Sequence, residues 1–164
     1  MTMFARADAQ RMLAEVFAPW IQALKLSIES IDDDGAVLRM PFSTDLCRDN
    51  GVICGQALMS LADTAMVFAV SAAAGGYRPM TTVDQATHLL RPAVNADVLA
   101  DARVLRLGKT MAFGRVTLTA AGDPRPVGTA QIAYALLHAP RGGDTGEQGR
   151  PSLSACARLR GPFF

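Results

Sequence analysis

Asn50 to Val70 reads NGVICGQALMSLADTAMVFAV, and its reading decides the fold. The run is apolar almost all the way round a helix, so it predicts a buried helix. It would start at Val52 or Ile53, reach about Ala74, and stop at Gly75-Gly76 in the usual C-terminal way. One carboxylate, Asp63, sits in its middle. Asp is a weak helix former, and a buried carboxylate is expensive unless it has partners or opens onto a cavity. With Asp63 at its centre, and Ser60, Thr64 and Ser71 as polar punctuation, the run is a poor membrane span.

Working outward, the N-terminal side carries a loose helical period at Phe4, Met12, Leu13, Val16 and Phe17, and Pro19 is expected to stop that helix. Leu24 to Ser30 alternates Leu24, Leu26 and Ile28 with Lys25, Ser27 and Glu29, as a half-buried strand does. Asp32-Asp33-Asp34-Gly35 is a turn, and AVLRMPF from Ala36 is the returning strand of a hairpin. A polar loop, STDLCRDNG, leads to the long helix. After it the period falls to two, in TTVDQATHLL, DVLADARVLRL, MAFGRVTLTA and VGTAQIAYALL. The separators RPAVNA, GKT and AGDPRP are turn chemistry. The order is a short helix, two strands, one long helix and four strands. That order predicts an α+β protein with an antiparallel sheet wrapped around the long helix.

At 164 residues, half of them apolar and 19% charged, the chain is expected to form one domain with a real core. Residues 1–22 form an N-terminal helical segment, 23–139 the domain proper, and 140–164, rich in Gly, Ser and charge, a flexible tail. A net charge of +1 gives no footprint for nucleic acid or an anionic membrane. Cys47, Cys54 and Cys156 form no CxxC, and with an N-terminus that lacks an apolar signal core they are read as reduced thiols of a cytoplasmic protein. No Gly-rich phosphate loop occurs, and neither His88 nor His138 has metal-ligand spacing with the cysteines, so no metal is expected.

The chemistry concentrates at the two ends of the central run. Gly51 and Gly55 lie where the helix begins, with Asp49 and Asn50 as candidate caps. A bare glycine there offers free backbone N–H groups at the positive end of the helix dipole, an arrangement that binds an oxyanion. Gly55 and Asp63 are eight residues apart, about 12 Å along one helix. An oxyanion donor and a base or nucleophile must each come within about 3 Å of the reacting group or its water. Two antiparallel helices from two subunits meet that demand, with two equivalent sites in a symmetric dimer.

GVICGQALMSLADTA, followed by TTVDQATHLLRP and ARVLRLGKTMAF, resembles acyl-CoA thioesterases of the hotdog fold, specifically the phenylacetic-acid-degradation type. The resemblance covers roughly Leu24 to Leu137. It implies a hotdog domain over 23–139, a homodimer or homotetramer, and an acyl-CoA substrate with no metal or redox cofactor. It places the catalytic acid at Asp63, the oxyanion donor at the Gly55 N–H, and an assisting hydroxyl at Thr82. The family usually has His-Gly-Gly at the helix start, where this chain has Cys54-Gly55-Gln56, and an Asn or Gln six residues before that histidine, where this chain has Arg48. Asn50 is a replacement if the loop is shaped differently. Gln56 is either a carbonyl-orienting amide or solvent-facing.

Other groups carry weaker readings. Cys54 at a helix N-terminus is a candidate nucleophile, but no histidine is near it in sequence. His88 would share a strand face with Thr82 and Asp84, with a structural or interface role preferred, and His138 is expected at the surface. Arg106 and Lys109, ahead of Arg78 and Arg91, are candidates for the phosphates of coenzyme A. Two other functions stand beside hydrolysis: capture of an acyl-CoA without turnover, and a hotdog hydratase or dehydratase.

Overall fold

The computed structural model describes residues 4–137. The expected tail from 140 to 164, with Cys156, and His138 lie outside the described residues. The elements are α1 (Arg6–Glu15), α2 (Pro19–Gln22), β1 (Ser27–Ile31), β2 (Gly35–Met40), α3 (Gly55–Ala73), β3 (Met80–Leu89), β4 (Val98–Leu107), β5 (Met111–Ala120) and β6 (Pro126–Leu136). The six strands form one antiparallel sheet in the order β1-β2-β4-β5-β6-β3. It wraps α3, whose Leu61, Ala62, Ala65, Met66, Phe68, Ala69 and Val70 are wholly buried. By length and composition α3 could cross a membrane, but 67% of its apolar window is buried inside the fold, as in a core helix.

Because the crossover from β2 to β4 passes through α3 and β3, the third strand of the chain ends up at one edge of the sheet, paired only with β6. Alternation then sorts the faces. Tyr134, Ile132, Ala130 and Gly128 of β6 are buried toward the helix, level with Ala112, Gly114, Val116 and Leu118 of β5. Gly114 lets α3 approach β5, since a Cβ there would overlap the Met66 thioether and lie 2.8 Å from the Arg103 carbonyl. Gly114→Ala is therefore expected to destabilise the fold by about 1–3 kcal/mol, through overpacking against backbone on one side. A lower urea midpoint with an unchanged slope would show it; an unmoved midpoint would contradict this packing.

Several local expectations change. The long helix begins at Gly55 and not at Val52 or Ile53, because those two residues are held in extended bridges to Val94 and Cys47. Cys54 is its N-cap, without a side-chain cap bond, so Asp49 and Asn50 do not cap it. They belong to a separate 3-10 turn, in which Asn50 and Gly51 take positive φ of 59° and 70°. Pro19 does not simply end a helix. It opens a second one at its first position, where a missing N–H costs nothing. β1 starts at Ser27 and not at Leu24, since the preceding Lys25 has φ 53°.

Candidate active site

The mid-helix acid has partners. Thr82 Oγ1 of β3 donates to Asp63 Oδ1 at 3.1 Å, and the Tyr134 hydroxyl of β6 donates to the same oxygen at 2.6 Å. The Tyr134 hydroxyl also lies 2.8 Å from the Asp63 carbonyl. Burial, then the charge and hydrogen bond of Asp63, push the Tyr134 phenol far above its ordinary range, so it stays protonated and serves as a donor.

A β-bulge makes this meeting possible. Thr82 pairs with Tyr134 while Asp84 pairs with Ala133, so Val83 is the extra residue. The bulge reverses the alternation. Thr82 and Gln85 face the helix side with Tyr134 and Ile132, whereas Asp84, Ala86 and His88 are level with Ala133, Gln131 and Thr129 on the other face. The expectation that Thr82 shares a face with Asp84 and His88 is thereby corrected. Unbroken period-two counting cannot see an inserted residue. His88 instead borders a second, smaller cavity of about 290 Å³ with Arg115, Thr117 and Gln131.

Asp63 opens onto a groove of about 580 Å³. Its polar lining includes Gln56, Ser60, Thr64 and Gln85, and its wall is apolar: Val16 and Phe17 from the link between α1 and α2, Trp20 and Ile21 from α2, with Met59, Val67 and Met80. Phe17 is fixed by stacking on Phe68 at 5.5 Å between ring centroids, and Gln85 Nε2 donates to the Met59 carbonyl at 3.1 Å. The groove is thus an apolar trough with a carboxylate in its lining, suited to a ligand with an apolar body and a polar group.

Of the sequence candidates, Asp63, Thr82 and Gln56 come together here. Gly55 is the first residue of α3, and among the described residues its N–H has no partner. Gly55, Arg48, Asn50 and Cys54 lie by the helix start and do not line the Asp63 groove of their own chain. Arg48 and Asn50 are exposed and Cys54 is half-buried. Arg106 and Lys109 are exposed near the β4–β5 turn, away from the groove, and the Lys109 carbonyl accepts from Arg78 at 3.2 Å. Among the described residues no group of three His, Cys, Asp or Glu side chains could hold a metal ion. Tyr134, Gln85 and the N-terminal wall were not among the candidates. A signal for Tyr134 was present: a lone phenol between Ile132 and Leu136 on an inward face must find a polar partner.

One protein-family model matches residues 50–127, a stretch that runs from the loop before α3 into β6 and includes Gly55, Asp63 and Thr82. That family is the thioesterase superfamily. Tyr134 lies beyond the matched stretch. Among solved structures, a candidate thioesterase from Silicibacter sp. TM1040 is 27% identical, with a TM-score of 0.75 over 84% of this chain and 95% of that one. A conserved protein from Pseudomonas aeruginosa is 26% identical, with a TM-score of 0.69 over 76% and 98%. The PaaI protein of the Escherichia coli phenylacetic acid degradation operon is 20% identical, with a TM-score of 0.70 over 81% and 94%, a likeness of fold alone. Comparison with curated proteins gives no match. The expected architecture holds: a six-stranded antiparallel sheet around one long helix, the hotdog fold.

Proposed function

We propose that this protein hydrolyses acyl-CoA thioesters as a symmetric homodimer, with Asp63 of one subunit and the Gly55 N–H of the other serving each site. The observation that carries the reading is the Asp63 carboxylate, held by Thr82 and Tyr134 in the lining of an apolar groove. The match of residues 50–127 to the thioesterase-superfamily model supports thioester chemistry. The finer kinship, with the phenylacetic-acid-degradation type, rests on the LADTA, LRPA and LGKT motifs.

In this mechanism the acyl chain lies along Phe17, Trp20 and Met59, and the thioester carbonyl oxygen accepts from the Gly55 N–H. Asp63 takes a proton from water as the water oxygen bonds to the carbonyl carbon. The negative charge gathers on the carbonyl oxygen, where the helix N-terminus stabilises it. The carbon–sulfur bond then breaks, and the thiolate leaves to be protonated. Direct attack by the carboxylate on the carbonyl uses the same placement. Arg48, Arg106 and Lys109 are the cations proposed for the phosphates of coenzyme A.

Two features support the dimer. The helix of one chain keeps Gly55 and Asp63 about 12 Å apart, too far for one carbonyl. The edge strand β3 leaves its outer backbone unpaired and exposes Val83 and Leu89, a template for a second copy. A second reading, capture without turnover, is favoured by Cys54-Gly55-Gln56 standing where the family has His-Gly-Gly. The two separate when acyl-CoAs are titrated while free thiol is followed. Thiol release is expected, faster for apolar acyl groups long or wide enough to fill the groove than for acetyl. Tight binding with no thiol would overturn the enzyme reading.

A further inference from the structure

We propose that Tyr134 is a positioning residue: with Thr82 it anchors one oxygen of the Asp63 carboxylate, Oδ1, and so leaves the reaction to the other, Oδ2. The inference rests on the hydrolytic reading above but is made of different observations. Two hydroxyls from two strands converge on Oδ1, while Oδ2 accepts no hydrogen bond among the described residues. The ring of Tyr134 is 1% exposed, packed on the inner face between Ile132 and Leu136, so the hydroxyl has no freedom to follow a moving carboxylate. It does not line the groove, and hence it acts through Asp63 and not on a ligand.

The phenol has one hydrogen and two acceptors near it, Oδ1 at 2.6 Å and the Asp63 carbonyl at 2.8 Å. The carboxylate contact is shorter and charge-assisted, so the hydrogen belongs there. The carbonyl sits in α3, where the helix already supplies an N–H four residues on. A carboxylate on a helix turns freely about its terminal bond, a broad two-fold torsion. Two donors on one oxygen remove that freedom, and the second oxygen is then preoriented for a water or a carbonyl carbon. A functional carboxylate with one oxygen saturated and one open is what this arrangement provides.

Tyr134→Phe keeps the ring and removes only the hydroxyl. We expect kcat for thioester hydrolysis to fall about 10- to 100-fold, the equivalent of one hydrogen bond to a charged group, with KM nearly unchanged and the melting temperature within a few degrees. Thr82→Val in the Tyr134→Phe background should cost less than it does alone, because both side chains hold the same oxygen. An unaltered kcat would overturn the proposal, and so would a parallel collapse of kcat, KM and melting temperature, which marks a merely structural tyrosine. The anchoring can also be read without turnover. The chain has two tyrosines, so in a Tyr77→Phe background tyrosinate absorbance reports Tyr134 alone. Asp63→Asn should then let that tyrosinate form at lower pH. A titration that Asp63→Asn does not move would refute the anchoring even if thioesters are hydrolysed. A chain that releases no thiol but shows the shift would refute the hydrolytic reading alone.

Discussion

Asp63→Asn is expected to lower kcat for acyl-CoA hydrolysis by about 10²- to 10⁴-fold, the usual contribution of a positioned base. Asn has the shape of Asp and can still accept from Thr82 and Tyr134 through its amide oxygen, so the contacts that fix the side chain survive. What disappears is the negative oxygen on the open side. The residual rate should come from the groove and the oxyanion donor, which leaves substrate affinity close to the original. Steady-state kinetics with thiol detection, alongside a binding isotherm for an unreactive acyl-CoA analogue, checks both halves. Hydrolysis that survives undiminished would remove Asp63 from the mechanism and leave its two hydroxyl partners as a structural device.

The second large effect concerns Gly55. Pro is tolerated at the first position of a helix, which Gly55 occupies, and the preceding Cys54 already has φ −67° and ψ 148°, compatible with a following proline. A Cβ at Gly55 meets only the Leu89 Cδ1, at 2.9 Å, the end of a flexible and exposed side chain. Gly55→Pro therefore removes the N–H with little damage to the fold. Loss of that donor is expected to lower kcat by about 10²- to 10³-fold. Gly55→Ala, which retains the N–H, should lose much less. Mixing is the sharper measurement. Subunits carrying Asp63→Asn, exchanged with subunits carrying Gly55→Pro, rebuild one intact site in each mixed dimer. Random exchange should restore about a quarter of the original activity from two inactive parents. No recovery, with exchange verified by mass, would mean that Gly55 and Asp63 do not work across a subunit boundary.

Much of this was legible in the chain itself. The order of elements follows from periodicity: a two-residue period in β4, β5 and β6, and an apolar run too long for a strand in α3. Asp63 was conspicuous because a carboxylate in such a run demands an explanation. The boundaries near Gly55 were less legible. Val52 and Ile53 are as apolar as the helix that follows, and only their bridges to Val94 and Cys47 show that they are extended. The wall made by Phe17 and Trp20 was hidden for a similar reason, since no local pattern says where a short helix will dock.

By itself the sequence determined which residues are buried together in α3, β5 and β6, and that one acid and one bare helix start share a single helix. Those are consequences of local periodicity and of covalent spacing. The tertiary structure alone decided what Asp63 touches. Tyr134 is 71 residues away from it, and Thr82 reaches it only because Val83 bulges out of register. A register shift of one residue exchanges the two faces of a strand, and its position is set by pairing with a distant strand, which no local reading contains.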